Sequence, residues 1–168
     1  NKKGFPVFRF DYRGTGDSYG ELEDSSVDQW IEDITIAAEE LRQTAQVQNI
    51  SVVGLRLGGL LASAATLKNL EVERLVLWDT IVSGKYYRDE LSQEIAKSPN
   101  SRGKFVDKDD TLHFNGFALN RKHLDDLNKL DLCLEPPQAK QVFQISSYES
   151  QTEQALKTCW NKKQNFTY

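Results

Sequence analysis

Asn49–Gly59 reads NISVVGLRLGG, and the change of character inside this stretch decides the fold. The β-branched run from Asn49 to Val53 predicts a buried strand. It stops abruptly at Gly54-Leu55-Arg56-Leu57-Gly58-Gly59, and a Leu- and Ala-rich helix over 60–67 follows at once. A strand, then Gly-x-x-x-Gly, then an immediate helix is the arrangement of a nucleophile elbow. Such a turn forces unfavourable backbone angles on its middle residue, here Arg56. Gly54 and Gly58 are expected to flank it because a Cβ at either would clash. The middle side chain is lifted above the sheet at the N-terminus of the next helix, where the dipole and free N–H groups favour negative charge. The Leu57 N–H is then the expected oxyanion donor, with Gly58 beside it.

Working outward, the same alternation continues. Upstream, GFPVFRF (Gly4 to Phe10) is a strand candidate that ends in the turn-rich Asp11-Tyr12-Arg13-Gly14-Thr15-Gly16-Asp17-Ser18. Ser26, with Gln29 three residues on, predicts a capping box. Val27, Trp30, Ile31, Ile34, Ala38 and Leu41 then recur at helical spacing. Downstream, RLVLW (Arg74 to Trp78) is the next buried strand, with Trp78 inside it. Strand, helix, strand, helix, strand predicts α/β class: a mostly parallel, doubly wound sheet with right-handed crossovers. The segments near 5–10, 50–53, 74–78 and 141–145 are expected to share it.

The stretch 84–138 is too long for one crossover. It holds helix candidates over 86–97 and 121–130, the latter capped by Asn120, around a polar stretch 98–110, and Pro136-Pro137 closes it. A long insertion with elements of its own predicts a helical lid over a site, grouped at the C-terminal strand ends. Tyr86 and Tyr87 open it, to line an entrance or to pack. QVFQI (Gln141 to Ile145) returns to the sheet and 153–160 begins another helix. The expected division is therefore 1–83, first part of the core; 84–138, lid; 139–168, the returning strand and helix.

FDYRGTGDS (Phe10 to Ser18) followed by GLRLGG (Gly54 to Gly59), in that order with a helix between, resembles the α/β-hydrolase superfamily in its serine-aminopeptidase-like branch. GLRLGG, LVLWDTIVSGK (Leu75 to Lys85) and FNGFALNRKHLDDLNKLDL (Phe114 to Leu132) also resemble a narrower group, the hydrolases associated with bacterial exosortase and exopolysaccharide systems. The resemblance implies a partial α/β-hydrolase fold and an acyl ester or thioester hydrolase. It also implies a piece of a longer protein, since the family's first strands and its C-terminal histidine region are expected outside the sequence, which contains no Met.

The departures from the family pattern bear on function. The elbow should present Ser, Cys or Asp, and Arg56 is none of these. A guanidinium stays protonated and has no lone pair for attack. The family acid follows the strand after the lid, where Glu149 is the nearest candidate, and no histidine comes after it. Arg56 reads either as a structural arginine, bridged to Asp79 or Glu149 at the strand ends, or as an anion-binding one. Two functions stand open: a hydrolase working through a nucleophile other than residue 56, and a catalytically inactive pseudo-hydrolase that binds an anionic small molecule or acts as an accessory protein. The turn Asp11-Tyr12-Arg13-Gly14 reads as structural, satisfying its own backbone.

Other classes fall away. With 39% hydrophobic and 27% charged residues and a net charge of −4, nothing favours nucleic acid or an anionic membrane, and no apolar run is long enough to span a bilayer. Gly14-x-Gly16 is no dinucleotide motif, because acidic residues 21–24 intervene before the helix, and no P-loop is present. No cofactor or metal is expected. His113 and His123 read as lid surface residues, His123 in reach of a surface pair with Asp126. Cys133 and Cys159 lack metal-ligand spacing and read as two reduced thiols in a cytoplasmic protein. A small-molecule substrate or anionic ligand is the expected partner, and oligomeric state is not legible.

Overall fold

The computed structural model describes residues 4–97, 103–115, 117–147 and 151–161. Helix α1 (Val27–Ala45) starts where Ser26 Oγ accepts from the Gln29 N–H, and it buries Val27, Trp30, Ile31, Ile34 and Ala38. This is the stripe the spacing predicts. Strand β1 (Ser51–Leu55), helix α2 (Leu57–Leu67) and strand β2 (Arg74–Trp78) follow. In α2 every residue from Gly59 to Thr66 is buried, because the helix lies between the sheet and α1. Strand β6 (Gln141–Ile145) pairs on the far side of β2, giving a parallel sheet in the order β1-β2-β6.

The insertion between β2 and β6 holds α3 (Gly84–Lys97), three short strands β3 (Lys104–Val106), β4 (Leu112–Phe114) and β5 (Phe117–Leu119), and α4 (Arg121–Leu127). The three strands form an antiparallel meander, of which only β3 falls in the expected polar stretch 98–110 and none is expected as a strand from the sequence. Strands of three residues are too short to carry a period-2 signal. Asn120 caps α4 as expected, its side chain accepting from the His123 N–H. The insertion closes on itself: the Gly84 N–H donates to Leu130 O at 3.0 Å and the Leu132 N–H to Val82 O at 2.9 Å. Helix α5 (Gln151–Asn161) follows β6. No helix among the described residues is long and apolar enough to cross a membrane.

Four expectations need correction. Residues 5–10 join no ladder, with Phe5, Val7 and Phe8 exposed, so three of the four expected segments share the sheet. The fold reading survives because those three are parallel and adjacent, and the elbow joins β1 to α2. Secondly, β1 and β2 are not buried on both faces. Val52, Gly54, Leu75, Leu77 and Val142 alternate with Val53, Leu55, Trp78, Phe143 and Ile145. The second set is exposed, Trp78 at 43%, and among the described residues no helix covers that face. Thirdly, Cys133 and Cys159 are not reduced thiols. They form a disulfide with Cα atoms 5.4 Å apart, because packing lays the last turn of α5 beside the loop after α4, where Trp160 Nε1 donates to Leu132 O at 3.0 Å. The inference of a reducing compartment loses its support. Finally, His123 is not on the surface; its setting belongs to the site.

Candidate functional site

Arg56 occupies the apex of the turn between β1 and α2 with φ 53° and ψ −122°, a conformation that side chains disfavour. The turn is held from both sides: Arg56 N–H donates to Trp78 O at 3.0 Å, and Arg56 O accepts from Gly59 N–H at 3.0 Å and Ile81 N–H at 3.3 Å. A Cβ on Gly54 would come within 2.5 Å of Gly59 Cα, so that glycine is required. Gly58 is different. A Cβ there would meet only the Tyr12 hydroxyl, at 3.8 Å, so the expected clash at Gly58 is corrected to Gly59, which faces Gly54. Gly58 instead leaves open floor. Among the described residues the Leu57 and Gly58 N–H groups meet no acceptor, which leaves them aimed at whatever sits above the helix N-terminus.

The Arg56 guanidinium is paired with Glu90 of α3 through Nη2 and Oε2. Asp79, one of the two expected partners, does not take that place. Asp79 turns toward the chain after β6, accepting from the Ser147 N–H at 2.7 Å. Its carboxyl is held below the usual range first by hydrogen bonding from the Ser147 side chain and backbone, with the nearby Arg56 charge contributing less. Glu149 lies outside the described residues. Glu90 escaped the sequence reading because carboxylates were sought at strand ends, whereas this one hangs from the first helix of the insertion. Its signal was a carboxylate two turns into a helix that must return over the elbow.

A cavity of about 330 Å³ lies above the elbow, walled by Arg56, Leu57, Tyr12, Trp30, Tyr87 and Phe117 among others. A larger, open groove runs between residues 8–21 and α1 and does not include Arg56. The expected turn Asp11–Gly14 does satisfy its own backbone, Thr15 N–H donating to Tyr12 O at 2.9 Å and Ser18 Oγ to Asp11 O at 2.5 Å. Arg13 fastens it to α1 through Asp33, with Nε to Oδ1 at 2.8 Å. The turn also delivers Tyr12 into the cavity, a role the sequence reading missed. Burial, with the Asp33 charge adding to it, pushes the Tyr12 phenol up to about 12, so it stays a donor at neutral pH. Tyr87, beside it, is likewise pushed up chiefly by burial.

Aromatic rings link this cavity to the insertion. Phe10 meets Tyr12 edge-on at 5.2 Å, Tyr12 meets Trp30 at 6.3 Å, and Trp30 stacks on His123 at 5.0 Å with 7° between planes. His123 is fully buried, its Nε2 3.2 Å from Ser25 Oγ. Ser25 Oγ donates to Leu22 O, so Nε2–H is the donor to Ser25 and Nδ1 is left buried without a partner. Burial pulls this imidazole below its ordinary pKa. Asp126 pairs with Lys129 at 2.6 Å, so the expected His123–Asp126 surface pair does not form. His113 sits 2.8 Å from Asp107, half-covered on the meander. Among the described residues no cluster of His, Cys, Asp and Glu has metal-binding geometry.

Comparison with known proteins agrees with this geometry. A profile of the family described as serine aminopeptidase, S33, matches residues 1–158. Over 82 residues the chain is 37% identical to a Bos taurus protein named palmitoyl-protein thioesterase ABHD10, mitochondrial; the match takes in 48% of this chain and 26% of that one. The chain thus spans about a quarter of that relative's length. Among solved structures, a protein of Agrobacterium vitis S4 described as a "putative hydrolase" superposes with a TM-score of 0.53 at 14% identity, covering 92% of this chain and 72% of that one.

Proposed function

The chain belongs to the serine aminopeptidase S33 family of the α/β-hydrolase superfamily, and from that premise we propose that its elbow holds an anionic small molecule instead of attacking a substrate. One observation carries this reading: Arg56 sits at the apex where the family places its nucleophile, ion-paired to Glu90. A guanidinium cannot attack an acyl carbon, but it binds carboxylates and phosphates well. The free N–H groups at the start of α2 add to the attraction. In this reading residues 84–138 are the lid, and Glu90 is the resident carboxylate that an incoming anion displaces.

A second reading, ester or thioester hydrolysis, is favoured by the likeness to a protein named as a thioesterase. It needs a nucleophile other than residue 56, and an acid and a histidine that the described residues do not assemble around Arg56.

The test uses full-length protein with short-chain nitrophenyl esters, an acyl thioester and inorganic phosphate. The binding reading expects no turnover above background, and binding of phosphate or of a small carboxylate by calorimetry that Arg56→Ala abolishes. If the remainder of a triad is supplied by the full protein, Arg56→Ser raises esterase activity from that background. Wild-type hydrolysis that Arg56→Ala leaves untouched would sink the binding reading and leave the second.

A further inference from the structure

The cavity above the elbow has a composition more specific than "anion site". Arg56 is its only cation among the described lining residues, and Asp11 also lines it; with Glu90 already on Arg56, a dianion finds no second cation there. The guanidinium already carries a carboxylate, that of Glu90. A ligand carboxylate takes that place as Glu90, itself 31% exposed, turns out to water, so that the guanidinium keeps a single carboxylate partner in a half-buried place where extra charge is costly. Most of the remaining wall is apolar or aromatic, including Phe10, Trp30, Leu61, Phe117 and Leu119. At about 330 Å³ the cavity lies at the small end of the range for ligand pockets. Such walls gain from burying hydrocarbon.

Tyr12 supplies the remaining element. Its hydroxyl stands over Gly58, whose missing side chain leaves the space beneath it open. It makes no hydrogen bond to any described residue, and its ring is held by Phe10 and Trp30. A rigidly held donor lining the same cavity as Arg56 and the start of α2 is placed to bond an acceptor held there.

The geometry points to a monocarboxylate with an apolar chain as the ligand: its carboxylate on Arg56 in place of Glu90, the Tyr12 hydroxyl donating to it, and its chain against Trp30, Leu61 and Phe117. This rests on Arg56 being an anion-binding residue. Tyr12 is then a specificity-determining residue that rewards an acceptor at the head of the ligand.

Calorimetry on full-length protein with octanoate, 1-octanol, acetate and inorganic phosphate tests it. Octanoate is expected to bind at least ten-fold more tightly than either octanol or acetate. Tyr12→Phe should weaken octanoate several-fold and leave octanol unchanged, which a merely structural role would not do. Glu90→Gln, which removes the competitor and keeps the shape, should tighten octanoate; this arm stands even if Arg56→Ala folds poorly. Octanol as tight as octanoate would show that the head is not recognised, and acetate as tight would show that the walls are idle; either overturns the proposal. Phosphate binding without octanoate binding overturns it while leaving the broader anion reading intact, and binding of neither removes both.

Discussion

Two of the contacts between the insertion and the core are built in opposite ways. At Arg56–Glu90 two charges touch while each side chain remains about a third exposed, 37% and 31%. At His123 a neutral ring is buried completely against Trp30 and bonded to Ser25. The first contact can be exchanged, because water can solvate either partner and another carboxylate can replace Glu90 at little cost. The second cannot, because undocking it exposes two stacked rings and breaks a buried hydrogen bond. In the reading proposed above, one end of the lid is an anchor and the other a gate.

Removing the anchor should have the largest effect. His123→Ala leaves a cavity beside Trp30 and an unpaired Ser25 environment, and should cost about 3 kcal/mol of stability, measured by urea unfolding. A loss under 1 kcal/mol would show that the ring is not part of the folded core.

Acid should loosen the same contact without any mutation. The folded-state pKa of His123 lies below its ordinary 6.5 because burial opposes the charge. Of its charged neighbours Lys122 lowers it further, while Asp126 and Glu23 oppose. For a base with a depressed folded pKa, the stabilisation is full above the unfolded value and is lost as pH falls below it. From about pH 6.5 downward stability should therefore drop by up to about 1.4 kcal/mol per pH unit attributable to this group. It should level off once the folded form also titrates. The slope should be reduced in His123→Phe, and an unchanged slope would assign it elsewhere.

At the gate the expected effects are smaller and partly of the other sign. Arg56→Gly should be about 1 kcal/mol more stable than Arg56→Ala, since glycine accepts φ 53° and also suits a helix N-cap better. Thermal melts of the two variants side by side decide it; equal melting points would mean that the elbow stores no strain. Least of all, Glu90→Gln should cost about 0.5 kcal/mol, because an ion pair this exposed contributes little. A loss of several kcal/mol would make Arg56–Glu90 an anchor too, and the contrast would collapse.

How far these sites were legible follows from the range of the interactions that make them. The elbow could be read because strand, turn and helix are adjacent in the chain and Gly54 admits no side chain. Ser26 and Asn120 were readable as caps for the same reason: each bonds a backbone group three residues on. The strand at 5–10 failed because a strand needs a neighbour, and an apolar run alone cannot say whether one is adjacent. The meander at 104–119 failed because its strands are too short to show alternation.

The local pattern of the sequence thus determined the α/β class, the parallel character of the sheet and the position of Arg56, because hydrophobic period and glycine sterics act within a few residues. Only the tertiary structure decided that Arg56 pairs with Glu90 and not Asp79, that Cys133 bonds Cys159, and that His123 is buried against Trp30. Each of those joins residues from 26 to 93 positions apart in the chain. Such pairs depend on how helices and strands pack, and no spacing along the sequence encodes which carboxylate, thiol or ring will be the one that arrives.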